Sequence, residues 1–274
     1  MSVLEESARL ALRRLGPGAR GVTVERLVVG LFFTGVKLSC GSAGIAFTPV
    51  KEIPQAVCCP SSAAATFDPV RTRGAPAGDL LGALTSDEPL RTAVAVATLN
   101  ALTAACWEVG LTGRCRIQTG RDAQDAVRMP EGARVAVVGA FVPVLRTLRR
   151  RGGEWWVVER DPRTLRPDEL SHFVPAERGP EVFGRADVLV ITGVSLLYHT
   201  LEAILDAARP GAEIAVMGPT ASMLPEPLFD RGVRVVGGVW VRRPDETLDV
   251  LAAGGSGYHL FGRLVDRVVI ERPD

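Results

Sequence analysis

The chain has 274 residues, 47% of them hydrophobic and 23% charged, with a mean hydropathy of +0.18. That balance excludes a disordered chain and is enough to bury a sizeable core as one large domain or two modest ones. A formal charge of +1 excludes a nucleic-acid or membrane-surface partner recognised by bulk electrostatics.

In chain order, the start MSVLEESARLALRRL reads as an amphipathic helix over about residues 2–15. It lacks the basic-then-apolar layout of a secretory signal, so a cytoplasmic location is expected. Two hairpin strands follow, VTVERLVVGLFF and AGIAFTP. Between them lies one of two lysines among 32 basic residues: Lys37, with Lys51 just beyond the second strand. In so arginine-rich a chain, a retained lysine suggests a place where a compact, titratable charge is needed. Lys37 is therefore a candidate for neutralising ligand charge, with Thr34 beside it, while Lys51 reads as an ordinary loop residue.

The five cysteines, Cys40, Cys58, Cys59, Cys106 and Cys115, contain no CxxC pair, which fits a reduced setting without a built-in soft-metal site. The three histidines have no metal-ligand spacing either. A long helix is expected over 87–109. Thr85 to Glu88 matches a capping box, and the body TAVAVATLNALTAAC is apolar nearly all round, so it should be buried on several sides. Asn100 is the polar exception. It either ties down a neighbouring loop or faces a cleft with Thr34 and Lys37. The polar, Arg-rich stretch 110–132 reads as a linker.

The second half alternates short β-branched runs with helices: RVAVVGAF, EWWVVERD, ADVLVITG, EIAVMGP, RVVGGVWV and a closing RLVDRVVIE. That rhythm predicts an α/β, Rossmann-like parallel sheet whose ligands lie at the strands' carboxyl ends. Gly139 ends the first of these strands, though the full GxGxxG fingerprint is missing. Glu159 ends the second, twenty residues later, where dinucleotide folds place the acid that holds ribose hydroxyls. The loops Thr192-Gly193-Val194-Ser195 and Gly218-Pro219-Thr220 present hydroxyls and backbone N–H groups suited to an anion. Helix capping by the same hydroxyls is the alternative. Gly254 to Gly257 reads as the lead-in to a final helix.

Several blocks together resemble one family: FTGVKLS…GSAGIAFTP, AVAVATLNAL, VAVVGAF, VVERDP, VLVITGVSLLYHTLEAIL, VMGPTASMLPEPLF and the terminal GGSG. They are similar to the putative heavy-metal chelation family. The resemblance implies a small α+β domain with the enolase N-terminal fold, here at about 1–115, and a Rossmann-like domain at about 125–274. It implies a ligand site in the cleft between them and a role near metal, cobalamin or siderophore handling. Where that family commonly shows Asn-Gly-Thr, this chain departs with Tyr198-His199-Thr200; His199 stands among the candidate substrate contacts.

The reading at this stage is of a small anionic or metal-chelating ligand held in the interdomain cleft. Lys37 and Asn100 are the candidate reactive groups, and Thr34, Lys37, Asn100 and His199 the candidate substrate contacts. The cofactor or acidic group would lie against Gly139, Glu159, Thr192, Gly193, Ser195, Gly218 and Thr220. The rival is a transferase or lyase using S-adenosylmethionine or NAD at Glu159. No membrane or nucleic-acid partner is expected, and a homodimer is compatible with so apolar a helix.

Overall fold

The computed structural model describes residues 1–53, 68–113 and 115–272. It is an α/β protein built on two sheets. The first is antiparallel, in the order β1 (Val24–Val29), β2 (Phe33–Leu38), β3 (Ala43–Phe47). One more strand is present here than the sequence reading gave. The run after Phe32 forms β2, the middle strand, because alternate residues Thr34, Val36 and Leu38 face a buried side.

The second sheet has eight strands: β4 (Arg116–Thr119), β5 (Val135–Val138), β6 (Trp155–Glu159), β7 (Phe173–Pro175), β8 (Val188–Thr192), β9 (Glu213–Met217), β10 (Val235–Val241) and β11 (Val265–Glu271). Their spatial order is β4-β11-β10-β9-β8-β5-β6-β7. The strands from β10 to β7 run parallel, and β11 and β4 are antiparallel additions at one edge. Within the parallel part, strand order reverses between β5 and β8, where open α/β sheets leave a crevice at the carboxyl ends. The stretch expected as a linker supplies β4, whose Arg116, Ile117, Gln118 and Thr119 pair with Glu271, Ile270, Val269 and Val268.

Side chains alternate across the large sheet as its pleat requires. Val135, Val137, Val188 and Val190 enter one buried cluster with Leu145 and Leu148 of α3 (Val142–Arg151). Ala136, Leu189 and Ile191 enter the other, which is continuous with α1 (Val3–Leu15), β2 and α2 (Pro89–Glu108). Every residue of α2 from Thr92 to Trp107 is buried. It is the one described helix long and apolar enough to cross a membrane, but 89% of that window is buried inside the protein, which marks it as a core helix. It starts three residues after the expected cap: Glu88 occupies the N-cap without a side-chain bond, and Thr85 ends a preceding 3-10 turn.

α2 packs closely on β3 because Gly44 has no side chain. A Cβ there would lie 2.3 Å from the Ala101 nitrogen and 2.4 Å from the Ala97 carbonyl oxygen. The opposite face of the small sheet is covered by α4 (Pro244–Ala252), with Leu248 and Leu251 against Gly35.

Candidate functional site

Three of the expected residues meet at the reversal of strand order. Gly139 has φ +93°, and a Cβ there would press on the Thr192 side chain at 3.1 Å, so the loops after β5 and β8 touch at their first residues. Glu159 closes β6 and binds the same corner. Its Oε2 accepts from the Ala140 N–H at 3.1 Å and its Oε1 from the Arg160 N–H at 2.7 Å. A carboxylate offers about four acceptor positions, so two stay open for ligand hydroxyls. Thr192 Oγ1 accepts from the Val194 N–H at 3.3 Å, and the Ser195 hydroxyl donates to the Thr192 carbonyl at 2.7 Å.

Gly193, Ser195, Gly218 and Thr220 also come together, but around the protein's own backbone. A Cβ on Gly193 would lie 3.0 Å from the Ala221 nitrogen. The Gly218 N–H donates to the Gly237 carbonyl, and the Ala221 N–H to that of Gly218, both at 2.9 Å. Thr220 is buried, and its Oγ1 accepts from the Phe47 N–H at 3.0 Å. Part of the bonding capacity expected to hold an anion here is used inside the fold, where this loop joins the small sheet to the large one.

Asn100 serves the same junction. Its Nδ2 donates to the carbonyls of Ile45 at 2.9 Å, Pro219 at 3.2 Å and Thr220 at 3.3 Å, while its Oδ1 is buried without a partner among the described residues. It ties down the 219–220 loop. Thr34 is buried, with its hydroxyl 3.0 Å from that of Thr48.

Lys37 does not join them. Residues three apart on a strand point to opposite faces, so Thr34 faces α2 while Lys37 faces α4. Its ammonium bonds Glu25 at 2.9 Å and Asp245 at 2.8 Å. Its hydrogen bonds to Asp245 and then to Glu25 raise its pKa, holding it as an ion-pair cation. His199 is exposed and adopts φ +53°, the only positive φ outside glycine among the described residues. Its Nε2 donates to the Ser86 carbonyl at 3.0 Å, near the start of α2.

The structure instead adds residues the sequence reading passed over. The segment after β3 (Val50–Glu52) lies against the end of β6. Lys51 Nζ bonds Asp161 at 2.8 Å, and Arg160 reaches Glu52 at 3.5 Å. The Arg160 guanidinium stacks 5.0 Å from the centre of the Tyr198 ring. Arg163 grips Asp161 with two bonds at 2.8 and 3.0 Å, and with Lys51 holds that carboxyl well below its usual range. Burial, with Glu52 nearby, pushes the Tyr198 phenol up. The available signal was adjacency: Arg160 and Asp161 directly follow the strand-end glutamate.

Among the described residues no group of three or more His, Cys, Asp or Glu side chains converges as metal donors. Cys58 and Cys59 lie outside the described residues. Burial pushes the Cys106 and Cys115 thiols up to about 11, against the thiolate form that binds metal.

Similarity to known proteins agrees with this architecture. An uncharacterized protein of Methanocaldococcus jannaschii is 30% identical over 139 residues, 50% of this chain and 52% of that protein, so the match spans about half of the relative. A crystal structure of a protein of unknown function from Pyrococcus horikoshii superposes with a TM-score of 0.78 at 20% identity, covering 98% of this chain and all of that one. One from Desulfitobacterium hafniense gives 0.74 at 19% identity, covering 98% of both. At such identities the superpositions show the fold alone. Two family models bearing one description match residues 122–270 and 12–103. By these matches, the chain belongs to the family described as "Putative heavy-metal chelation".

Proposed function

We propose that this protein binds a small anionic or metal-chelating ligand in the crevice between two domains. One is a small α+β domain of enolase N-terminal type at about 1–115, the other a Rossmann-like domain at about 125–274. The observation that carries the reading is the grouping of Gly139, Glu159 and Thr192 at the reversal of strand order, with Lys51 and Glu52 laid beside it. The order of the six parallel strands is that of dinucleotide-binding sheets, which use this crevice for ligands.

Metal, on this reading, is cargo that arrives inside a chelator. The described side chains offer no donor set of their own, whereas Glu159 and the backbone around Gly139 suit hydroxyl and acidic groups of an organic ligand. Native mass spectrometry of freshly purified protein tests it. A copurifying small molecule, lost in Gly139→Val, is the expected result. Full retention by that folded variant refutes the placement, because the valine side chain would fill the corner against Thr192.

A second reading has one observation in its favour. Glu159, at the end of β6 and bonded to the residue after Gly139, occupies the place of a ribose-binding acid. An enzyme using S-adenosylmethionine or NAD would bind there. Calorimetry with S-adenosylmethionine, NAD and ATP decides it, and no heat from any of the three removes it.

A further inference from the structure

The charges at the crevice mouth are sorted by depth. Lys51, Arg160 and Arg163 have side chains 67%, 65% and 88% exposed, while their partners Asp161 and Glu52 are 20% and 30% exposed. The acids lie inward and accept from the cationic ends, whose side chains stay largely exposed. Pairing is loosest at Arg160. Its contact with Glu52 is 3.5 Å long, whereas Asp161 is shared between two cations at 2.8 Å. The Arg160 guanidinium is nevertheless oriented, because it lies over the Tyr198 ring, 5.0 Å from its centre, and its own backbone N–H is fixed by Glu159. A planar fork, held by an aromatic ring and only loosely paired, is suited to two-point capture of a carboxylate or phosphate.

The loop carrying Tyr198 is built to keep the ring there. His199 accepts a left-handed backbone that glycine would adopt more readily, and its side chain anchors the turn to the Ser86 carbonyl. A strained backbone fixed by a hydrogen bond is expected where the position of the preceding side chain matters.

We propose that Arg160, oriented by Tyr198 and flanked by Lys51 and Arg163, is the recognition element for a small oligoanion carrying at least two carboxylate or phosphate groups. Arg160 exchanges its long contact with Glu52 for the ligand, and Lys51 and Arg163 supply further positive charge. The proposal rests on the crevice reading above and names the ligand class that this reading leaves open. Tyr198 acts as a positioning residue and does not itself contact the ligand's acidic groups.

The test is calorimetric titration of the full chain, at low ionic strength, with citrate and with pyrophosphate. Wild type should bind at least one of them, the citrate arm marking a carboxylate chelator and the pyrophosphate arm a phosphate-bearing ligand. Arg160→Ala should weaken binding by about tenfold or more, the scale of a charge-assisted bidentate contact. Arg160→Lys should lose nearly as much, since an ammonium keeps the charge but not the fork. Tyr198→Phe should bind like wild type; Tyr198→Ala, which also loses core packing, should bind more weakly at a temperature where it is still folded, while Tyr198→Phe keeps both binding and stability. Arg178→Ala serves as control, because among the described residues Arg178 pairs with the nearby surface Glu181.

Equal binding by Arg160→Ala and wild type overturns the proposal. If Gly139→Val still abolishes binding, the crevice reading survives that failure. Absence of binding to both anions by wild type also overturns the proposal, and native mass spectrometry then decides separately whether the crevice holds any ligand.

Discussion

Asn100 offers the most demanding test of how the two sheets are joined. Its amide nitrogen faces three carbonyl oxygens, one from β3 and two from the 219–220 loop. Pro219 retains a second donor, the Ser222 hydroxyl at 2.7 Å, so truncation to alanine removes about two irreplaceable bonds and leaves a small void. At about 1 kcal/mol for each net bond plus the cost of an orphaned carbonyl, Asn100→Ala should lose about 2–4 kcal/mol. Asn100→Asp should be worse at pH 7, because it sets a carboxylate against those carbonyls in a buried site. Its folded pKa would then lie above its unfolded value. Stability is therefore regained as pH falls through the folded pKa, when the protonated carboxyl can donate, and lost again as pH rises. Urea unfolding of both variants between pH 4.5 and 8, within roughly the range bounded by ordinary and raised carboxyl pKa values, measures this. An aspartate variant within about 0.5 kcal/mol of wild type at pH 7, or one whose deficit does not shrink in acid, would refute the account.

Other consequences are quickly checked. Lys37→Met should cost about 1 kcal/mol, less in high salt, and leave ligand binding unchanged, since both carboxylate partners are exposed enough to be screened and Lys37 faces α4. The ion pair itself should hold from the acid side of neutrality upward. It is lost only above the ordinary lysine value of 10.5, because the folded pKa of Lys37 is raised, and below the ordinary aspartate value of 3.8, because that of Asp245 is lowered. Gly44→Ala should lose about 3 kcal/mol or fail to accumulate, because α2 backbone atoms stand where the methyl would go; an unchanged melting temperature contradicts the close approach. Of the described cysteines, exposed Cys40 should react with iodoacetamide in the native state, while Cys106 and Cys115, with thiols pushed up to about 11, should react only on unfolding, as peptide mapping would reveal.

The parallel strands were legible because each is buried on both faces and reads as an uninterrupted β-branched run. β7 and β4 were not, for the opposite reason: Phe173–Pro175 is three residues long, and Arg116–Thr119 is an edge strand whose side chains are half-buried or exposed. Edge strands owe their place to a partner's free hydrogen-bonding groups, here those of β11, and carry little hydrophobic signature. The capping box at Thr85 failed for a related reason. The pattern was correct, but the 3-10 turn before α2 used those residues, and Glu88 took the cap.

The site shows where composition misleads. Rarity singled out both lysines, yet rarity says nothing about direction. Lys37 sits on a strand, where the pleat decides which face a residue serves, and an odd spacing from Thr34 sends it to α4. Lys51 sits past the end of β3, where the chain is free to turn, and is carried to the end of β6 beside Glu159. The loop glycines divide the same way. Gly139 lies where strand order reverses, whereas the 219–220 loop after β9 is tied to β3 through Thr220 and to α2 through the Asn100 amide. On the proposed reading, a ligand would sit at the corner of Gly139, Glu159 and Thr192, with the exposed Arg160 side chain beside it because Arg160 directly follows Glu159.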